Sequence, residues 1–145
     1  MDSRGQASAE YIFLILIFLI VLTTVTVPFA GNAISSSQNV SVTSDAQTAL
    51  SSIVNAVNVV YANGPGAKRT LSLYFPQGSN LGYSSNVLSL NLQGVGYSNG
   101  SSKSNVNATV PYPITVSGGT VTKGWHKVSV SWGVGNSSIT VTVAS

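Results

Sequence analysis

The chain has 145 residues, 6% of them charged, and a formal net charge of +3; this length allows one domain plus an appended segment. It contains no cysteine, which excludes a disulfide framework and thiolate metal sites. The cations are scattered without interleaved aromatic residues, which argues against nucleic-acid binding: Arg4, Lys68, Arg69, Lys103, Lys123 and Lys127.

An apolar, uncharged segment covers about residues 11–30. About 20 helical residues match the thickness of a bilayer core, so we predict a membrane-spanning helix here. Glu10 lies at the very edge of this segment, where a carboxylate is unfavourable unless it has a partner.

A cut between Gly5 and Gln6 would give Glu10 that partner. The new α-amine would lie one helical turn before Glu10 and carry a positive charge near neutral pH. The amine could pair with Glu10 of its own chain or of a neighbour and so set the register between subunits. The alternative is ordinary signal peptidase cleavage after Gly31-Asn32-Ala33, which would release a protein starting at Ile34 and leave Glu10 without a role.

Residues 4–11, Arg-Gly-Gln-Ala-Ser-Ala-Glu-Tyr, followed by an apolar helix, resemble the class III signal peptide of archaeal type IV pilin-like proteins. The Gly-x-x-x-x-Glu-Tyr spacing is also similar to that of bacterial Flp pilins of tight-adherence (Tad) systems, which are usually much shorter. The resemblance covers roughly residues 1–30. It implies that a membrane prepilin peptidase cuts between Gly5 and Gln6, and that the leader is recognised through Arg4, Ser8, Glu10 and Tyr11.

A helical spine is predicted over residues 6–62. Ser44-Asp45-Ala46-Gln47 has the pattern of a capping box, a helix start signal, and residues 31–43 are either a weakened part of one helix or a break. A kink is expected near Pro28. Apolar residues after Ser44 recur at helical spacing and predict a buried face: Ala46, Ala49, Leu50, Ile53, Val54, Val57 and Tyr61.

Residues 63–145 predict a β-rich extracellular headpiece. Four runs alternate with period two, each burying one face: Leu71 to Phe75, Leu88 to Leu92, Val128 to Trp132 and Ile139 to Val143. Weaker runs at 106–110 and 114–116 are interrupted by Pro111 and Pro113, which favours sheet edges, and the last two strands predict a hairpin. The fold class is therefore α+β: a long hydrophobic helix followed by a small antiparallel sheet or sandwich, a pilin-like layout.

The sequence offers few residues that could carry out catalysis. The acids beyond the leader are Glu10 and Asp45, both in the helical spine, and His126 is the only histidine, so we expect no enzyme, metal site or cofactor. His126 is read as a strand histidine at the rim, with a pH-sensitive subunit contact as the alternative. Trp132 is expected in the core, whereas Trp125 is either packed under a loop, at a subunit contact or an exposed adhesive spot.

Four Asn-x-Ser/Thr sequons are candidates for N-glycosylation: Asn39, Asn99, Asn107 and Asn136. Sugars would offset the low charge, since an ordinary soluble domain has about 25% charged residues.

The resemblance implies the function and partners. We expect a structural subunit of an extracellular adhesive filament, anchored in the cell membrane as a precursor. Its partners would be copies of itself, a prepilin peptidase, an assembly ATPase and a membrane platform. A non-polymerising surface protein anchored by one helix, and an archaellin-type motility subunit, remain the alternatives.

Overall fold

The computed structural model describes residues 3–93 and 105–144, and the side chains from residue 9 onward. A single helix, α1, covers Ser3–Asn63 and includes Pro28. The chain divides into two compact units, Met1–Ser37 and Gln38–Ser145.

The helix is unbroken through residues 31–43, so of the two alternatives the continuous helix is the one observed, and the capping-box pattern at Ser44 does not mark a helix start. The polar side chains in this stretch do not compete with the helix because their hydroxyls bond one turn back. Ser35 Oγ donates to the Gly31 carbonyl at 3.0 Å, and Thr48 Oγ1 donates to the Ser44 carbonyl at 3.0 Å. A Ser-Asp sequence therefore does not end a helix that is already formed on its N-terminal side.

The second unit contains eight strands among its described residues. They are β1 Lys68–Phe75, β2 Ser79–Ser84, β3 Val87–Leu92, β4 Asn105–Thr109, β5 Ile114–Ser117, β6 Thr120–Val121, β7 Gly124–Ser131 and β8 Ile139–Ala144. They form two four-stranded sheets: sheet 1 in the order β1-β7-β8-β5, and sheet 2 in the order β4-β3-β2-β6. The α+β fold class, a long apolar helix followed by a β-sheet domain, is confirmed.

The core joins one face of α1 to both sheets. Ala46, Ala49, Leu50, Ile53 and Val57 are buried as predicted. Ala56 and Val60 complete the stripe, while Val54 is half-buried and Tyr61 is 43% exposed. The strands contribute buried residues at the alternate positions predicted: Phe75, Leu88, Leu90, Leu92, Val128, Val130, Ile139, Val141 and Val143.

Strand pairing confirms two further predictions and corrects one. The β7–β8 pair is antiparallel and joined in sequence, and β4 and β5, on either side of Pro111 and Pro113, are edge strands. However, β5 pairs with β8 in parallel, against the antiparallel prediction. Because the chain leaves β5 for the second sheet, β5 and β8 are not a hairpin, and no tight turn imposes an antiparallel direction.

Two strands, β2 and β6, are additional to the prediction. The β2–β3 hairpin closes through Ser85 and Asn86, whose φ values of 50° and 65° give the paired left-handed residues of a type I′ turn. The turns predicted at residues 94–96 and 98–100 lie outside the described residues.

Gly118 and Gly119 carry the chain from sheet 1 to sheet 2. A Cβ on Gly119 would lie 2.6 Å from the Leu81 carbonyl oxygen, and the Leu81 amide donates to the Gly119 carbonyl at 2.6 Å. Gly118 has a φ of 72°, and a Cβ there would lie 2.6 Å from the Val143 carbonyl oxygen. The crossing therefore requires two residues without side chains.

We expect Gly119→Ala to destabilise the second unit by about 1–3 kcal/mol, because the clash is with backbone and cannot be relieved by a rotamer change. The measurement is thermal unfolding of the full chain in detergent, followed by tryptophan fluorescence.

Gly82→Ala is the matched control, since its Cβ would meet only Ser89 Oγ, at an ordinary 3.5 Å. Equal melting temperatures for the Gly119 variant and the native chain would contradict this account of the crossing.

Candidate functional site

The predicted cleavage region lies at the start of α1. Glu10 and Tyr11 are exposed, Tyr11 by 67%. The side chains of Arg4, Gln6 and Ser8, and any packing around Gly5, lie outside the described set. The cleavage, recognition and register roles given to these residues therefore stay predictions.

The helix after Glu10 is apolar on every side and is not covered by the rest of the chain. Its large apolar side chains between Tyr11 and Phe29 range from 42% exposed at Ile15 to 76% at Phe29. By length and composition, one helix among the described residues could cross a membrane; its most apolar window has a mean hydropathy of 2.8 and no buried residue.

Two threonine hydroxyls in this apolar segment bond inside the helix. Thr24 Oγ1 donates to the Ile20 carbonyl at 2.7 Å, and Thr23 Oγ1 donates to the Leu19 carbonyl. Bonded in this way, they present no free donor to an apolar environment.

Both ring nitrogens of His126 lie within hydrogen-bond distance of carbonyl oxygens of the same chain. Its Nδ1 lies 3.1 Å from the Ala144 carbonyl oxygen and its Nε2 lies 3.0 Å from the Thr122 carbonyl oxygen. The ring meets Phe75 edge-on, with centroids 5.8 Å apart. This geometry links the start of β7 to the end of β8. Across residues 3–93 and 105–144, no group of three His, Cys, Asp or Glu side chains could hold a metal ion.

Trp132 is half-buried beside the core, and it belongs to an aromatic stack. Tyr61 of α1 stacks on Tyr112 with centroids 3.7 Å apart, and on Trp132 with centroids 5.5 Å apart. Trp132 Nε1 donates to the Asn136 carbonyl at 2.8 Å, which fixes the indole. The stack closes one end of the helix–sheet interface and explains why Tyr61 lies outside the core.

Trp125 is 71% exposed, which among its three alternatives favours a subunit contact or an exposed spot over packing under a loop. It lies opposite Tyr74 in the β1–β7 register, with ring centroids 5.6 Å apart and planes inclined at 55°. The two rings border a cavity of about 330 Å³. Its polar lining comes from both sides of the interface: Asp45, Thr48 and Ser52 of α1, and Ser72 of β1.

This cavity could not be found from the sequence. The alternation at 71–75 and 124–132 identifies both strands, but not that they pair. Without the strand register, nothing in the sequence indicates that Tyr74, Trp125 and Asp45 lie close together.

The sequons differ in accessibility. Asn107 is exposed on the edge strand β4, and Asn136 is exposed in the β7–β8 turn. Asn39 is half-buried on α1, and Asn99 lies outside the described residues. Asn107 and Asn136 are thus the two sequons at which the structure shows an accessible side chain.

Comparison with known proteins gives one match. A family model described as "Class III signal peptide" matches residues 3–29, which include Gly5, Gln6 and Glu10 and almost all of the apolar segment. No curated protein and no solved structure matches the chain. The headpiece therefore has no relative in these comparisons, and residues 3–29 are a class III signal peptide of the type IV pilin-like kind.

Proposed function

We propose that the protein is a structural subunit of an extracellular, adhesive type IV pilus-like filament of an archaeal cell. The observation that carries this proposal is the exposed apolar helix at residues 11–29, which lies within a class III signal peptide. Such a peptide is cut before its apolar segment, so the segment stays on the mature chain.

The apolar helix needs an apolar environment at every stage. Removing a Leu, Ile or Phe side chain from water contributes about 1.5–3 kcal/mol. A helix that is apolar all round requires cover on all sides, which lipid provides in the precursor. In a fibre, neighbouring copies of the same helix would provide equivalent cover. Assembly then exchanges lipid contacts for helix contacts without exposing the segment to water.

Glu10 distinguishes this proposal from a simple membrane anchor. An unpaired acidic side chain costs roughly 3 kcal/mol at the centre of a membrane, and a smaller amount at its edge, where Glu10 lies. After cleavage before Gln6, the α-amine lies four residues away, about 6 Å along the helix axis. Pairing this amine with Glu10 of the same or a neighbouring chain removes that cost and aligns the helices.

The other partners follow from the proposal. A prepilin peptidase would remove residues 1–5, and an ATPase with a membrane platform would extrude the subunits. The headpiece would coat the fibre, with glycans at the exposed Asn107 and Asn136 compensating for its low charge.

Two alternatives remain. A non-polymerising anchored protein would stay with the cells when they are sheared, and an archaellin-type subunit would cost the cell swimming rather than attachment when deleted. Mass spectrometry of the sheared fraction tests the first directly. Material beginning at Gln6 supports a filament, whereas a start at Ile34 or an intact Met1 confined to membranes would refute it.

We expect Gly5→Trp to leave uncut precursor in the membrane, because a large side chain at the cut would not fit a peptidase site shaped for glycine. Gly31→Leu is the control, since a Cβ at Gly31 meets no atom within 4 Å and lies far from the cut. Electrophoretic separation of precursor from mature chain measures the effect. Normal processing of the Gly5 variant would show that the cut lies elsewhere.

We expect Glu10→Ala to reduce filament yield at least about tenfold while the headpiece melts at the native temperature, because the amine then loses its partner in an apolar bundle. Asp45→Asn removes the other acid of the mature chain and should leave the yield unchanged. Filament mass in sheared fractions and thermal unfolding of detergent-dispersed subunits measure the two effects. Equal losses from both variants would refute a specific role for Glu10.

A further inference from the structure

The cavity beside Trp125 has the chemistry of a sugar-binding site. It combines an exposed indole, a second ring, three hydroxyls and one carboxylate, all within the second unit. Aromatic rings stack on the apolar C–H face of a sugar, whereas hydroxyls and carboxylates bond its O–H groups. We infer that this cavity binds a neutral saccharide, with Trp125 as the stacking surface.

The first argument is the exposure of Trp125. Its side chain is 71% exposed, with Tyr74 inclined beside the indole rather than stacked on it. A large, rigid aromatic side chain left accessible at the mouth of a cavity is typical of a recognition surface.

The second argument is the hydrogen-bonding capacity of the walls. Thr48 Oγ1 donates to the Ser44 carbonyl and Ser52 Oγ donates to the Thr48 carbonyl at 2.8 Å, so their oxygen lone pairs remain to accept. Asp45 is exposed and, when ionised, only accepts. These walls therefore favour a ligand with several donors, such as a sugar.

The third argument is charge. Lys127 lies opposite Ser72 in the β1–β7 register and on the same face as Trp125, two residues away. Asp45 lines the cavity, and Lys127 pairs with the lining residue Ser72, so charges of both signs belong to this region. This combination of charges favours a neutral ligand that both donates and accepts over a cationic or anionic one.

The neighbouring sheet face extends the site. Strand pairing places Thr70, Ser129, Thr142 and Ser117 side by side across sheet 1, on the face that carries Trp125. Further units of a sugar chain could bond to these hydroxyls, whereas an apolar peptide would leave them without partners.

The test uses the full native chain, dispersed in a detergent without a sugar headgroup so that the detergent cannot compete. Cellohexaose, chitohexaose and mannohexaose are titrated separately and followed by calorimetry. We expect at least one to bind, and Trp125→Ala to lower its affinity about tenfold. Trp125→Phe should retain part of the binding, because it keeps a ring.

Val134→Ala is the matched control. Val134 is 83% exposed in the β7–β8 turn, so its truncation removes exposed apolar surface away from the cavity. The sugar affinity of the Val134→Ala variant should equal that of the native chain, and all variants should melt at the native temperature.

A second experiment distinguishes a foreign sugar from a glycan carried by another copy of this protein. Native chain is passed over immobilised glycosylated chain and over the immobilised Asn107→Gln/Asn136→Gln double variant. Binding to the first alone identifies a neighbour's glycan as the source, whereas binding to the hexasaccharides alone identifies a free or foreign one. Either result supports the inference.

Three results would overturn it: no affinity for any hexasaccharide or glycosylated copy, sugar affinity unchanged by Trp125→Ala, or a loss of filament yield in Trp125→Ala without sugar binding. The last would make the cavity a contact between copies. An adhesive role for the site rests on the proposed filament, whereas the sugar titration does not depend on it. A chain that binds sugar but never polymerises would therefore refute the filament and leave the sugar site intact.

Discussion

The exposure of the apolar helix at residues 11–29 is the constraint on which the rest depends. Among the residues that the structure describes, nothing covers these side chains, so they need an apolar environment such as the lipid of a membrane. The hydroxyls of Thr23 and Thr24 bond to carbonyls of the same helix, which suits an apolar environment. Glu10 is the exception, and its position one turn after the proposed cut would link processing to the stability of the proposed filament.

The same helix has a second, different surface further along. From Ala46 to Val60 its apolar residues narrow to one stripe, which packs on the strands, while serines and asparagines occupy the other side. The change from all-round to one-sided apolar patterning occurs without a break in the backbone. A single element thus serves as a membrane segment at one end and as the core helix of a β domain at the other.

Most of the fold that could be predicted came from local patterns of apolar residues in the sequence. The helical phase identified the buried face of α1, and period-two alternation identified the strands with the largest apolar residues. Strand β2 was missed because Ser79, Asn80 and Gly82 interrupt its pattern. The capping-box pattern at Ser44 left a break at residues 31–43 open, because a local signal does not show whether a helix already precedes it. The parallel β5–β8 pair and the Tyr74–Trp125 contact depend on pairing between distant strands, which periodicity does not encode. The cavity beside Trp125 therefore became visible only in the structure.

The β1–β7 pairing has a consequence for the order of folding. Each residue of β1 pairs with one roughly fifty to sixty positions later, so loop closure delays this contact. While the chain is exported, helix α1 and β1 emerge well before β7, and both edges of β1 are then unpaired. Its alternation of Thr and Ser with leucines, and the cations Lys68 and Arg69 at its start, are features expected to limit aggregation during this interval. The rate at which β7 emerges would thus set the time for which each new subunit is vulnerable.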